Sequence, residues 1–168
     1  NIFDLPSSAA LPYETDHIAG HAFMKGDLLA DIMGFYKAFG LDLSETHKDR
    51  ADSIVAELEF MHVLCLKEAA ARTKYFGHIN MVVDAEKKFL MEHLGRWVGR
   101  FARGARDSKS TETYALLLEI TEKFVRGECA ALGVTPLPVS TTLPLVDDSP
   151  GLCETPGPEA VSDPGVLP

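Results

Sequence analysis

The run Asp49-Arg-Ala-Asp-Ser-Ile-Val-Ala-Glu-Leu-Glu-Phe-Met-His-Val-Leu-Cys-Leu-Lys-Glu68 decides how the rest of the chain is read. Within it Ile54, Leu58, Met61 and Cys65 recur in steps of four, three and four. At about 100° per residue they fall within roughly 60° of one another, a stripe that a helix presents and a strand does not. Glu57, Met61, Leu64 and Glu68 form a neighbouring row on the border of that stripe. The run is therefore read as a helix over 49–68 whose apolar face is rimmed by carboxylates.

The same period extends on both sides. Upstream, Leu28, Leu29, Ile32, Met33, Phe35, Tyr36 and Phe39 mark a helix that stops at Gly40, a residue suited to the left-handed turn after a helix. Pro6 and Pro12 make 1–13 an irregular lead-in, and Ser44–Arg50 is a polar turn rich in helix-capping residues. Downstream, Phe89, Leu90, His93, Leu94, Trp97 and Phe101 predict a third helix over 84–103. Tyr114, Leu117, Leu118, Thr121, Phe124 and Val125 predict a fourth, entered through Ser110-Thr111 and ending near Gly133. No segment alternates with period two. The fold class is all-α, a single-domain helical bundle.

Composition bounds the function. A chain of 168 residues suits one domain that needs no metal or disulfide to hold its core. With 16 basic and 25 acidic residues the net charge is -9, which disfavours nucleic acid and anionic membrane surfaces and favours basic partners. No apolar run reaches the ~20 residues of a membrane span. Asn1 is not followed by a charged, apolar leader, and Cys65, Cys129 and Cys153 are too few and too widely spaced for a disulfide framework. Cys65 is expected in the core as a reduced thiol, which fits a cytoplasmic protein. Residues 134–168 hold eight prolines, five acids and no Lys or Arg, so the helical domain is placed at 1–133. The rest is an acidic tail, either loose or laid across the body.

Several constellations invite a chemical reading. Glu57 and Glu68 beside an apolar stripe suit a ligand with a guanidinium next to a greasy segment, or else are satisfied by neighbouring helices. The pairs Glu14-Thr-Asp-His17 and Glu59-Phe-Met-His62 have the spacing of di-metal helical bundles, which gives a metal-dependent oxidoreductase as the alternative function. Against it, Glu59 points away from the apolar stripe, and His17 with His21 lacks the zincin glutamate. Arg96, Arg100, Arg103 and Arg106 form a cationic row explained by helix-end electrostatics or by an anion site. His93 and Trp97 are expected in the core, where the indole N–H needs a partner. Phosphate-binding loops and nucleophile elbows are missing from the sequence, and no catalytic residue, metal ligand or cofactor is assigned.

The segment Arg50–Met61 resembles the TorD/DmsD/NarJ family, all-helical cytoplasmic chaperones of molybdoenzyme maturation and twin-arginine proofreading. Leu11-Pro-Tyr-Glu-Thr15, Leu29–Leu41 with its Tyr-x-x-x-Gly-Leu ending, and Phe89-x-x-x-His-Leu-x-x-Trp97 continuing to Phe101 are similar to further family motifs, in the same order over most of 10–130. The resemblance implies a non-enzymatic chaperone that binds the twin-arginine leader or the apo form of a molybdenum-cofactor enzyme's catalytic subunit and assists cofactor insertion and assembly before export. It places Asp52 at the acidic half of the family's Asp-His leader-binding pair, whose His is Ser53 here. Tyr13, Glu14 and Gly40 match positions that line or support the groove. By the resemblance, the residues from Asn1 onward are expected to begin near the end of the family's first helical block, without its N-terminal helices. Asp52, Glu57 and Glu68 are then expected along one groove, and the fold class admits a homodimer formed by helix exchange.

Overall fold

The computed structural model describes residues 11–18, 22–43, 49–74, 78–107 and 112–139. These carry six α-helices: α1 (Glu14–Ile18), α2 (Ala22–Ala38), α3 (Ile54–Lys74), α4 (Ile79–Glu92), α5 (Leu94–Asp107) and α6 (Glu112–Leu132). The all-α expectation holds. His21, the Ser44–Lys48 part of the polar turn, the Ser110-Thr111 cap and the tail beyond 139 lie outside the described residues.

Helix α5 is the axis of the bundle. It packs against α6 on one side, α4 on another and α1 on a third, while α3 lies along α4. Trp97, Phe101, Leu94, Val98 and Ala105 of α5 are buried, so nearly every non-arginine side chain on it faces another helix. Helix α2 closes the core through aromatic edges: Phe35 and Tyr36 meet Phe60 and Phe89, with ring centroids 4.7–6.4 Å apart across the cluster.

Three expectations need correction. The helix predicted over 84–103 is two helices that break at His93, where φ is -125° and ψ is -102°. Gly95 permits the break, because a β-carbon there would collide with the Leu90 carbonyl and with the Pro136 ring. Helix α3 begins at Ile54 rather than 49, since Ser53 Oγ accepts from the Ala56 N–H at 3.1 Å and caps it. The buried face of α3 is Ile54, Glu57, Phe60, Met61, Leu64 and Ala71; Ile54 and Met61 of the predicted stripe lie on it, Leu58 is half-buried and Cys65 is exposed. Glu57 stands at the centre of this face, and reading it as a rim residue displaced the stripe.

Two helix ends behave as the sequence predicts. At Gly40 (φ 77°) the Leu41 N–H donates to Tyr36 O at 2.9 Å and the Gly40 N–H to Lys37 O at 3.0 Å. Gly133 (φ 66°) repeats the pattern with Cys129 and Ala130. After Gly133 the chain is laid across the body. The Leu137 N–H donates to Met91 O at 2.9 Å, and Arg96 donates to the Leu137 and Pro138 carbonyls.

Candidate client-binding site

Two of the motifs singled out in the sequence meet in space. Glu14 N–H donates to Asp52 O and Ile54 N–H to Pro12 O, both at 2.9 Å, forming an antiparallel bridge between Tyr13 and Ser53. Pro12 forces an extended entry that suits this pairing. Asp52 then holds the junction from beneath. Its carboxylate accepts from the Thr15 N–H at 3.1 Å, at the start of α1, and takes a fork from Arg50 at 3.0 and 2.8 Å. Arg50 also donates to Thr15 Oγ1 at 2.6 Å and lies over the Tyr13 ring, 4.1 Å from its centroid. Asp52 and Ser53 are both buried.

Below that junction sits a polar cluster sealed from solvent. Glu14, Glu57, His93 and Trp97 are each at most 1 % exposed. The Trp97 indole N–H donates to Glu57 Oε2 at 3.0 Å, which answers the need for an indole partner. His93 Nδ1 lies 3.2 Å from Glu14 Oε2. The two carboxyl groups also touch each other, yet Oε1 of each meets no N–H or O–H donor. Two carboxylates in contact without a donor cannot both be charged, so they share a proton. Burial, and then the Glu14 charge, push Glu57 well above the usual carboxylate range. Glu14 is also raised by burial, but the hydrogen bond from His93 opposes the shift. Burial and the neighbouring Glu14 charge therefore favour the neutral form of Glu57.

The residues expected along one groove thus separate. Asp52, Ser53, Glu14 and Glu57 are structural in position, with no surface to offer a client. Glu68 is a helical turn and more beyond them, clasped by the guanidinium of Arg72 on its own helix. Tyr13 is half-buried, and Gly40 is exposed where it turns the chain out of α2. The Glu-x-x-His pairs do not converge: Glu59 and His62 face outward, whereas Glu14 is buried and His17 stacks on Trp97 at 5.2 Å. Three arginines of the row are engaged by the fold, and Arg103 is exposed. Arg100 donates to His17 O at 3.0 Å, Arg96 to Glu92 O at 3.0 Å, and Arg106 approaches Glu122 at 3.9 Å.

What the geometry does expose is a cleft that sequence reading missed. Gly40 turns the chain so that Leu41, Asp42 and Leu43 face Asp49 and the outer side of α3, enclosing about 490 Å³. Its floor is Tyr36, Phe60, Ala56 and Val63, and Val55 and Leu43 stand exposed at its edge. Tyr36 is fixed there by its hydroxyl, which donates to Ala51 O at 2.7 Å and ties the cleft to the Asp52 junction. Asp42, Asp49 and Glu59 line it, and none of its described lining residues is basic. The clue in the sequence was Leu41-Asp-Leu directly after a helix-ending glycine, apolar residues where a loop has no core to fill.

Fold and cleft together define an all-helical protein with an acidic, apolar groove at one end. The chain belongs to the nitrate reductase delta subunit family, whose family model matches residues 1–103. It is similar to the perchlorate reductase assembly chaperone protein of Dechloromonas aromatica (strain RCB), at 30% identity over 122 residues, 73% of this chain and 53% of that one. It is also similar to the selenate reductase assembly chaperone protein of Thauera selenatis, at 34% over 97 residues, 56% and 50% of the two chains. A third relative is the chlorate reductase assembly chaperone protein of Ideonella dechloratans, at 30% over 84 residues, 50% and 43%. The chain spans about half the length of these relatives. No solved structure matches it. The family expected from the motifs is thus the family found, and the oxidoreductase alternative gains no support.

Proposed function

We propose that the protein is a non-enzymatic assembly chaperone for the catalytic subunit of a molybdenum-cofactor reductase, acting in the cytoplasm. The observation that carries the reading is the cleft between Gly40 and α3: an apolar floor with Asp42, Asp49 and Glu59 around it. Its client segment is read as a twin-arginine leader, which joins two guanidinium groups to an apolar run. The run covers Tyr36, Phe60 and Val63, while each guanidinium meets a carboxylate as a planar fork. Lysine cannot make that fork, so arginine is selected over an equal charge. The relatives named as reductase assembly chaperones support the client class. Among the described residues no helix is long and apolar enough to cross a membrane.

The test is calorimetric titration of the full chain with a leader peptide carrying two arginines, and with its two-lysine counterpart. The combined variant Asp42→Asn, Asp49→Asn, Glu59→Gln is expected to weaken the arginine peptide by about 1–2 kcal/mol, roughly 5- to 30-fold, at low salt. The lysine peptide is expected to bind the parent chain more weakly than the arginine peptide. Equal binding of the arginine peptide by the variant and the parent would remove the cleft from the proposal. Capture of a reductase subunit that keeps binding without its leader would move the contact to the mature region.

A further inference from the structure

The break between α4 and α5 places a histidine where ordinary core packing does not explain it. His93 is 1 % exposed, held edge-on to Phe35 at 5.4 Å and against Phe89 at 5.1 Å. Its Nδ1 faces the buried Glu14 carboxyl at 3.2 Å, so the proton on that nitrogen is donated to Glu14. In the tautomer that donates from Nδ1, the other nitrogen, Nε2, keeps its lone pair. It makes no hydrogen bond, although Asp31 Oδ2 lies only 3.2 Å away. One donor atom from each of Asp31, Glu92 and His93 falls within 4.8 Å of the others. In that tautomer a lone pair and two carboxylates face one small volume, an arrangement that a cation relieves.

We infer that Asp31, Glu92 and His93 bind one divalent transition-metal ion of the zinc class. One imidazole and two carboxylates suit such borderline ions and disfavour magnesium, which prefers oxygen and water. Around a tetrahedral ion with bonds of about 2.0–2.1 Å, ligand atoms stand roughly 3.3 Å apart, and the His93–Asp31 pair is already at 3.2 Å. Glu92 is half-buried and Asp31 is 56% exposed, so both carboxylates can swing the remaining distance. The Glu14 contact is the carboxylate-to-histidine support that metal-binding imidazoles require, since it fixes the tautomer with Nε2 free. Asp31 also lines an open cleft of about 430 Å³ with Asp27, Leu28 and Arg96, which gives the ion an entry route past one guanidinium. Two cations stand nearby. Lys88 reaches Glu92 Oε2 at 3.7 Å from the surface, and Arg96 spends its donors on the carbonyls of Glu92, Leu137 and Pro138.

The site does not depend on the client reading. It is tested by titrating Zn²⁺ into the metal-stripped full chain in competition with a chromophoric chelator, with Tm followed in parallel. One equivalent is expected to bind and to raise Tm, while Mg²⁺ at the same concentration does neither. Asp31→Asn and Glu92→Gln change exposed or half-buried side chains and are expected to keep the metal-free Tm while weakening Zn²⁺ at least 10-fold each. His62→Gln, on the outer face of α3, is the control and should change nothing. Absence of saturable uptake, or full affinity in Asp31→Asn, would overturn the site and leave His93 as a bridge between Glu14 and Asp31.

Discussion

Two groups of acids sit on either side of the first turns of α3, and they differ in almost everything but residue type. Glu14, Asp52 and Glu57 are fully buried, each with a fixed partner: His93, Arg50 and Trp97. Asp42, Asp49 and Glu59 are exposed around an apolar floor, and none of the three has a partner recorded among the described residues. The buried group answers to desolvation, so its members shed charge, pair or share a proton. The outer group stands exposed at the cleft, where a partner can reach it. A carboxylate open to a partner and one that holds the fold are told apart by their surroundings.

Substitutions sharpen that contrast in order of effect. Glu57→Ala leaves the indole N–H of Trp97 unpaired and opens a cavity in the centre of the α3 face. We expect a loss of about 3–4 kcal/mol in denaturant unfolding. Glu57→Gln keeps shape and polarity and, because the neutral form of Glu57 is favoured, is expected to cost under about 1 kcal/mol. A charged Glu57 would make that swap far more costly. Asp52→Ala, which unties Arg50 and the first turn of α1, is expected to cost about 2–3 kcal/mol. Its effect on client affinity should track lost folding, as a direct contact would not.

Glu86 tests the same contrast through pH. It is 2 % exposed, and burial, with Glu68 and Glu128 adding to it, pushes its carboxyl up from 4.5 to about 7. The folded state therefore binds the proton more tightly than the unfolded chain, and stability falls as pH rises from about 4.5 through about 7. Glu86→Gln removes that slope and should stabilise the protein at pH 8 by on the order of 1–3 kcal/mol, with little change at pH 5. Melting curves at the two pH values check it. The smallest effect on stability belongs to the outer acids. The combined Asp42, Asp49 and Glu59 variant should unfold within about 0.5 kcal/mol of the parent while losing client affinity. Equal loss of stability and affinity would erase the distinction.

Helix type and the two glycine stops were legible because they rest on local rules. The period around Ile32, Phe89 and Leu118 and the left-handed turns at Gly40 and Gly133 need only neighbours along the chain. The family was legible too, since its motifs are runs of adjacent residues. The site was read less well. Hydrophobic periodicity gives a carboxyl no weight, so Glu57 was set on the rim of a face it centres. The helix break at His93 depends on Pro136 closing over Gly95 from more than forty positions away.

The amino-acid sequence by itself determined an all-α chain, the two helix stops at Gly40 and Gly133, its acidic balance and its membership of a family. Those follow from propensity, periodicity and charge, each summed over short stretches. Only the tertiary structure decided which acids are sealed, which are open, and that Glu14 and His93, 79 positions apart, meet as a pair. Burial sets the ionisation and partners of a side chain, and it is a property of the packed whole that no stretch of sequence carries alone.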